Sequence, residues 1–474
     1  MPPRSVAVPL PWTDPAALFA AGPARAPHAF WLDAGPDAAS GWSWLGAGHP
    51  ASGTPREVTL AVSAVPAGLT PDAPAAGGPF RGGHVGWLGY DAAAAAAGAP
   101  AVADPGDGPQ EAWLRVERLI AFDHAARRAW VIAPETDIEG AVAEAAAWQD
   151  AATTATTATT ATAEATAATA ATAPSQPRIT NGVGDAGSDA AASARHTPAQ
   201  YRDLIARCRD AIRAGDAYQL CLTTRFTVPV PVDPVTAYLR LRAELPAHHG
   251  AFIRIEEHTL LSASPERFLE VADGIVRTRP IKGTRPRGTT PASDAALARE
   301  LRDSVKEQAE NVMIVDLMRN DLQRVCLPGS VAAERLLEVE SFAAVHQLVS
   351  TVAGRLRSGT TFADVLAAGF PAGSMTGAPK LSAMTILHEL EAAPRGVYAG
   401  CFGWVGDDGR ADLAMTIRSV VTHPGGAYVG AGGGITWLSD PDAEVAEVAV
   451  KARGPLAALG AALPEAWAPA HQPA

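Results

Sequence analysis

Between residues 151 and 195 the chain loses its hydrophobic patterning. The run "AATTATTATTATAEATAATAATA" begins at Ala151, and a mixture of Gly, Ser, Asp and Pro continues it to about Arg195. An alanine and threonine repeat has no apolar face to bury, and its polar continuation cannot offset the entropy of ordering. Alanine leaves a transient helix open, though β-branched threonine opposes it. Any core must therefore be assembled from two separated segments, residues 1–147 and 197–462, with a flexible linker at 148–196 and a tail at 463–474.

The two segments read differently. Before the linker, "AFWLDAG", "HVGWLGYD" and "RAWVIAP" are short aromatic and β-branched runs bounded by Gly, Pro and Asp, the pattern of strands and turns. After it, "TPAQYRDLIARCRDAIRAGDAYQL" opens on Thr197 as cap and Pro198 as first helical residue, and places Tyr201, Leu204, Ile205, Cys208 and Ile212 on one stripe. "LARELRDSVKEQAENVMIVDLMRNDLQRV" reads as a second long helix, and "SDPDAEVAEVAVKARGPLAAL", capped by Ser439 or Asp440 ahead of Pro441, as a third. Strand-like pieces such as "FIRIEEHTLLSAS", "RFLEV", "GIVRTRPI" and "AYVGAGGGITW" lie between them. Strands and helices do not alternate as βαβ units, so the expected class is α+β with large antiparallel sheets.

At 474 residues and 47% hydrophobic the chain can bury a large core. Its longest apolar stretches, such as the alanines at 92–97, are far shorter than the roughly 20 residues that span a bilayer, and the start "MPPRSVAVPLPW" lacks a signal-peptide core. A cytoplasmic protein with no membrane partner is expected. A net charge of −12 argues against a nucleic-acid partner, which would need a basic face. Cys208, Cys221, Cys326 and Cys401 form no CxxC pair and read as buried thiols.

Of 38 basic residues only Lys282, Lys306, Lys380 and Lys451 are lysine, leaving 34 arginines. A codon bias toward Arg, Ala, Gly and Pro explains the average but not the survivors. Arginine fails only where a compact ammonium, or an amine able to shed its proton and attack, is needed. Lys282 sits in "RTRPIKGTRPRG", beyond a hairpin signalled by Asp273-Gly274. A two-residue turn there pairs Ala272 with Ile275 and, counted outward, sets Lys282 opposite Pro265, next to Glu266. Strict alternation would put Glu266 and Lys282 on opposite faces, so a bulge or strand break near Pro265 or Pro280 is required for them to converge. The pair reads either as an acid/base carboxylate beside a nucleophilic amine or as a cross-strand ion pair.

Glu307 and Glu310 share one face of the second long helix, and Glu444, Glu447 and Lys451 one face of the third. Carboxylates on two helices without His or Cys suit a hard cation, Mg²⁺ shared with an anionic ligand, although each pair alone is more often a solvated face, and Lys306 with Glu310 an ordinary i,i+4 pair. Lys380 ends "FPAGSMTGAPK", a turn without the P-loop pattern. "GAGGGIT" at 430–436 is no dinucleotide fingerprint; its glycines let a ligand carboxylate approach backbone amides.

Taken in order over residues 197 to about 455, "SPERF", "PIKGTRPRG", "DLMRNDLQRVC", "VHQLVS", "FPAGSMTGAPK" and "GAGGGITWLSDP" resemble the chorismate-utilising enzymes. These are component I of anthranilate synthase and of aminodeoxychorismate synthase, and the isochorismate and salicylate synthases. "GHVGWLGYD" and "FWLDAG" resemble the N-terminal portion of the two amino-transferring members. The resemblance implies one α+β body of two large antiparallel sheets packed face to face. "PIKGT" is the form of the aminodeoxychorismate synthases and "PIAGT" that of the anthranilate synthases, the competing reading. A noncatalytic chorismate-binding or scaffolding protein is the reading from another class.

The resemblance further implies that Lys282 attacks C2 of chorismate while Glu266 protonates the departing 4-hydroxyl. Ammonia then enters at C4 and expels the lysine, giving 4-amino-4-deoxychorismate. By the same resemblance Glu310 and Glu447 are Mg²⁺ ligands, with Glu307 and Glu444 supporting them. Tyr398, Arg418, Gly432, Gly434 and Lys451 contact the substrate's carboxylates, and Thr284 and His346 line the pocket. Gln219 stands where the water-using members carry a lysine base, which fits an ammonia user. No cysteine lies in a glutaminase nucleophile elbow, so a separate glutamine amidotransferase partner is expected to supply the ammonia. One departure concerns regulation: feedback-inhibited anthranilate synthases carry "LLES" where this chain has "WLDA", so Ala34 replaces the serine and tryptophan feedback is not implied.

Overall fold

The computed structural model describes residues 5–60, 76–100, 102, 106–170, 191–342 and 345–468. Residues 171–190, within the stretch read as linker, and the tail beyond 468 lie outside the described residues. The strands form two antiparallel sheets, of 12 and 10 strands among these residues. Both segments of the chain enter both sheets. In the larger sheet His28–Asp33 pairs with His249–Ile255, and in the smaller Gly83–Leu88 pairs with Cys401–Gly406. The sheets face each other across a buried layer that includes Phe30, Trp87, Ile253 and Tyr428. Trp44 of the larger sheet meets Trp404 of the smaller edge to face, with ring centroids 6.0 Å apart. This is the α+β sandwich that the resemblance implies.

Within the larger sheet, β1 (Gln219–Val228) carries Gln219 as its first residue. In the smaller, β2 (Arg267–Ala272) and β3 (Ile275–Thr278) form the expected hairpin, Ala272 opposite Ile275. Asp273 at φ 53° and Gly274 at φ 72° supply the positive-φ pair that a tight two-residue turn requires. The ladder does not run on to Lys282, which corrects the outward count that sets Lys282 opposite Pro265. Pairing ends at Glu270 with Arg277, and the strand breaks at Arg279–Pro280, where proline has no N–H to donate. Lys282 belongs to β4 (Ile281–Pro286), which pairs with β5 (Val345–Arg355), Lys282 opposite Leu348. That ladder slips between Lys282 and Thr284, with Gly283 at φ 75°. The sequence asks for a bulge or a strand break near Pro265 or Pro280, and the break at Arg279–Pro280 is present, with the bulge at Gly283 beyond it. β6 (Gly426–Ile435) returns along β1, placing Gly432 opposite Thr223 and Gly434 opposite Cys221.

Helices cover the outer faces. α1 (Ile138–Ala170) runs into the stretch read as linker, and its first turns bury Ala141 and Ala145 against the core. α2 (Pro198–Ala214) starts as its sequence predicts: Thr197 Oγ1 accepts from the Gln200 amide at 3.2 Å, and Tyr201, Leu204, Ile205 and Cys208 are buried. The second long helix is in fact two, α3 (Pro291–Asp303) and α4 (Val305–Gln323). Ser304 leaves helical geometry at ψ 105°, and its hydroxyl caps α4 by accepting from Glu307 N at 3.4 Å. α5 (Lys380–Glu391) and α6 (Pro441–Ala458) complete the set that bears on the site. Asp440 caps α6, while the Ser439 hydroxyl is engaged with Glu444.

Candidate active site

The chain crosses between the sheets at Pro265–Glu266 and again at Thr416–Arg418, and the candidate site is built around these crossings. β4 delivers Lys282, β1 and β6 deliver Gln219 and Gly434, and α4 and α6 deliver the carboxylates. Lys282 Nζ lies 3.8 Å from Glu310 Oε2. A side-chain carbon on Gly434 would stand 3.2 Å from Lys282 Nζ and 2.5 Å from Gln219 Nε2. Glycine at 434 therefore lets the amine and the amide share one wall. Gln219 is fully buried, and neither its amide nitrogen nor its oxygen has a hydrogen-bond partner. An orphaned buried amide is costly, so this group is suited to a polar ligand.

Glu266 is buried, and burial pushes its carboxyl up to about 7 even though Ser374, Lys282 and Lys451 pull the other way. A carboxyl in such surroundings keeps its proton near neutrality and can donate it. Lys282 thus lies near enough for its charge to act on the Glu266 carboxyl.

The remaining acids form a second group across the gap between α4 and α6. Burial raises Glu310, Lys282 and Lys306 pull it down, and Glu307 and Glu447 push it up again, leaving it above the ordinary carboxylate range. Glu444 is likewise raised by burial, against a 2.8 Å hydrogen bond from Ser439. Burial also acts on Glu447, but the ion pair with Lys451 at 2.7 Å, helped by Lys282 and Lys306, outweighs it and leaves Glu447 low. Glu307 faces Arg285 at 3.7 Å. As a donor set, four carboxylates fit a hard divalent cation. Among the described residues no three acidic, histidine or cysteine side chains are drawn together closely enough to make a cation cage. Lysines stand among these carboxylates as counter-charges.

Other expected site residues take varied positions. Lys451 donates to the Gly432 carbonyl at 2.7 Å. Arg418 holds a left-handed backbone at φ 51°, and its guanidinium has no ion-pair partner among the described residues. Burial lowers its pKa while Tyr398 and Glu447 oppose that shift. Tyr398 is buried so tightly against β6 that a side chain on Gly430 would start 2.0 Å from its ring. Thr284 lies exposed at the bulge of β4. The structure does not turn His346 into the group: its ring nitrogens are engaged by Ser341 at 2.8 Å and Asp294 at 2.9 Å. Two neighbours were not singled out as site residues by the sequence, Ser374 beside Glu266 and Ser439 on Glu444, while Lys306 stands beside Glu310 as its i,i+4 spacing suggests. Ala34 lines a separate cavity of about 380 Å³ between the sheets, whose wall includes Pro265 and Ile281.

Residues 54–457 match the chorismate binding enzyme family, and the chain belongs to it. It is 43% identical over 391 residues to an aminodeoxychorismate synthase of Streptomyces pristinaespiralis, a match covering 81% of this chain and 52% of that protein. To anthranilate synthase component 1 of Streptomyces coelicolor it is 40% identical over 383 residues, 80% of this chain and 73% of that one. To aminodeoxychorismate synthase component 1 of Salmonella typhimurium it is 43% identical over 251 residues, 53% of this chain and 55% of that one. The chain spans about half the length of the aminodeoxychorismate synthases it matches. Among solved structures, anthranilate synthase component I from Streptococcus pneumoniae aligns with a TM-score of 0.65 at 27% identity, covering 96% of this chain and 92% of that one. The menaquinone-specific isochorismate synthase of Escherichia coli shares the fold, with a TM-score of 0.66 at 17% identity over 96% of this chain and 94% of that one.

Proposed function

We propose that the protein aminates chorismate at C4, as an aminodeoxychorismate synthase component I. The observation that carries the reading is the Lys282 amine, 3.8 Å from Glu310 and near a carboxyl pushed up to about 7. In the proposed reaction the Lys282 nitrogen bonds to C2, the ring double bonds shift, and the C4–O bond breaks. Glu266 gives its proton to the leaving hydroxyl, which departs as water. Ammonia then bonds to C4, the electrons return, and the C2–N bond to Lys282 breaks, while the Glu266 carboxylate takes up the proton that ammonia sheds. The sum is chorismate plus ammonia giving 4-amino-4-deoxychorismate plus water.

In this reading the unpartnered Gln219 amide orients the incoming nitrogen or a ring hydroxyl. Arg418 and Lys451 balance the substrate's two carboxylates, with Gly432 and Gly434 allowing close approach. Glu310 and Glu447, supported by Glu307 and Glu444, are the residues that would hold Mg²⁺, which when bound screens an anionic substrate from these glutamates. We place the source of ammonia in a separate glutamine amidotransferase, in keeping with relatives named as a component 1. The proposed setting is the cytoplasm, which suits four free, buried thiols. No helix among the described residues is long and apolar enough to cross a membrane.

The 40% identity to an anthranilate synthase component 1 favours a second reading, in which amination is followed by loss of pyruvate. Incubation with chorismate, Mg²⁺ and ammonium separates the two. We expect 4-amino-4-deoxychorismate, converted to 4-aminobenzoate only on addition of a lyase. Anthranilate fluorescence without that lyase would overturn the proposal.

A further inference from the structure

Among the four lysines, Lys306 has no part in the proposed amination chemistry. Lys282 and Lys451 are assigned to the nucleophile and the substrate carboxylates in that proposal, and Lys380 holds Asp321 at 2.7 Å and the Gly369 carbonyl at 3.1 Å. Lys306 is the second residue of α4 and is half-exposed, its ammonium 3.9 Å from Glu310 Oε1. Lys282 faces the other oxygen of the same carboxylate at 3.8 Å. The charge of Lys306 also reaches Glu444 and Glu447 across the gap on α6. At these distances neither lysine makes a hydrogen bond to Glu310.

Local helix physics gives no reason for a cation at this position. The first turn of a helix disfavours positive charge, and lysine four residues ahead of glutamate is the poorer order for such a pair. In a chain whose basic residues are nearly all arginine, an arginine here would clamp Glu310 with two parallel hydrogen bonds. An ammonium on a flexible stem neutralises that carboxylate without locking it.

We infer that Lys306 is a displaceable counter-ion for the carboxylate gap. It balances Glu310, Glu444 and Glu447 until a divalent cation takes their oxygens, then swings toward solvent, and it thereby sets how tightly the cation is held. The inference rests on the proposed role of the glutamates as cation ligands. Titration calorimetry of MgCl₂ into the full chain, with and without saturating chorismate, tests it in the unaltered protein, Lys306→Met and Lys306→Arg. Lys306→Met should tighten Mg²⁺ binding by about three- to tenfold, as removal of one half-exposed charge implies. Lys306→Arg should weaken binding, and added NaCl should narrow both differences. Equal or weaker binding by Lys306→Met, with the unaltered protein binding Mg²⁺, would overturn the role of Lys306 and leave the cation reading standing. No Mg²⁺ heat from the unaltered protein in either condition, with melting unmoved by Mg²⁺, would overturn the cation reading and this inference together.

Discussion

Lys282 and Glu310 lie 3.8 Å apart, one on a bulged edge strand and the other on the second turn of α4. A charge pair and a nucleophile place different demands on position 282. Lys282→Arg keeps the charge beside Glu310 but removes the amine that can attack. We expect it to melt within a few degrees of the unaltered protein and to lose amination on the order of 10³-fold or more, measured as steady-state product formation.

The raised Glu266 carboxyl has two pH consequences. As a proton donor it is spent above about 7, so kcat should fall on the alkaline side of that value. For stability, the folded chain keeps a proton that the unfolded chain releases near the ordinary value of 4.5, so stability is greatest below 4.5 and is lost as pH rises through about 7. The loss is about 3 kcal/mol for a shift of this size. Glu266→Gln carries no such loss, so its melting temperature relative to the unaltered protein should rise between pH 5 and pH 8 while turnover is abolished.

Two glycines of β6 should behave in opposite ways. The nearest atoms to a side-chain carbon on Gly434 would be the movable ends of Gln219 and Lys282, at 2.5 and 3.2 Å. Gly434→Ala should therefore fold normally and lose roughly tenfold or more in kcat/KM, the cost of misplacing those groups. At Gly430 the new carbon would start 2.0 Å from the buried Tyr398 ring. Gly430→Ala should destabilise the fold by about 1–3 kcal/mol in denaturant titration.

Arg395 fixes the underside of β1. It donates to Glu391 at 2.7 and 2.8 Å and to the carbonyls of Met375 and Cys221, and Glu391 in turn accepts from Thr223 N at 2.8 Å. Cys221 and Thr223 are the residues opposite Gly434 and Gly432. Arg395→Met leaves a buried carboxylate unpaired and should cost about 3–5 kcal/mol, with part recovered by adding Glu391→Gln.

The features legible in the sequence are the local ones. Asp273-Gly274 specifies its own turn, Thr197-Pro198 its own helix start, and a lysine kept among arginines marks itself. Ser304-Val-Lys-Glu307 has the form of a capping box, yet helical periodicity runs straight across it, so one helix is expected where there are two. The pairing of β1 with β6 and the docking of Glu391 and Arg395 onto Thr223 and Cys221 join residues far apart in the chain, and no local signal announces them. For His346 the motif names a residue but not its rotamer, and both nitrogens find Ser341 and Asp294 instead. Lys306 reads as an ordinary i,i+4 partner because the facing carboxylates belong to another helix.

The central claim is that the Lys282 nitrogen bonds to the substrate ring. Peptide mapping by mass spectrometry, on protein quenched after mixing with chorismate and Mg²⁺ but no ammonium, addresses it most directly. The account predicts that the Lys282 peptide gains the mass of chorismate less one water, that ammonium added before the quench removes this gain, and that Lys282→Met shows neither adduct nor turnover. An unmodified Lys282 peptide, together with a Lys282→Met protein that still aminates chorismate, would contradict it.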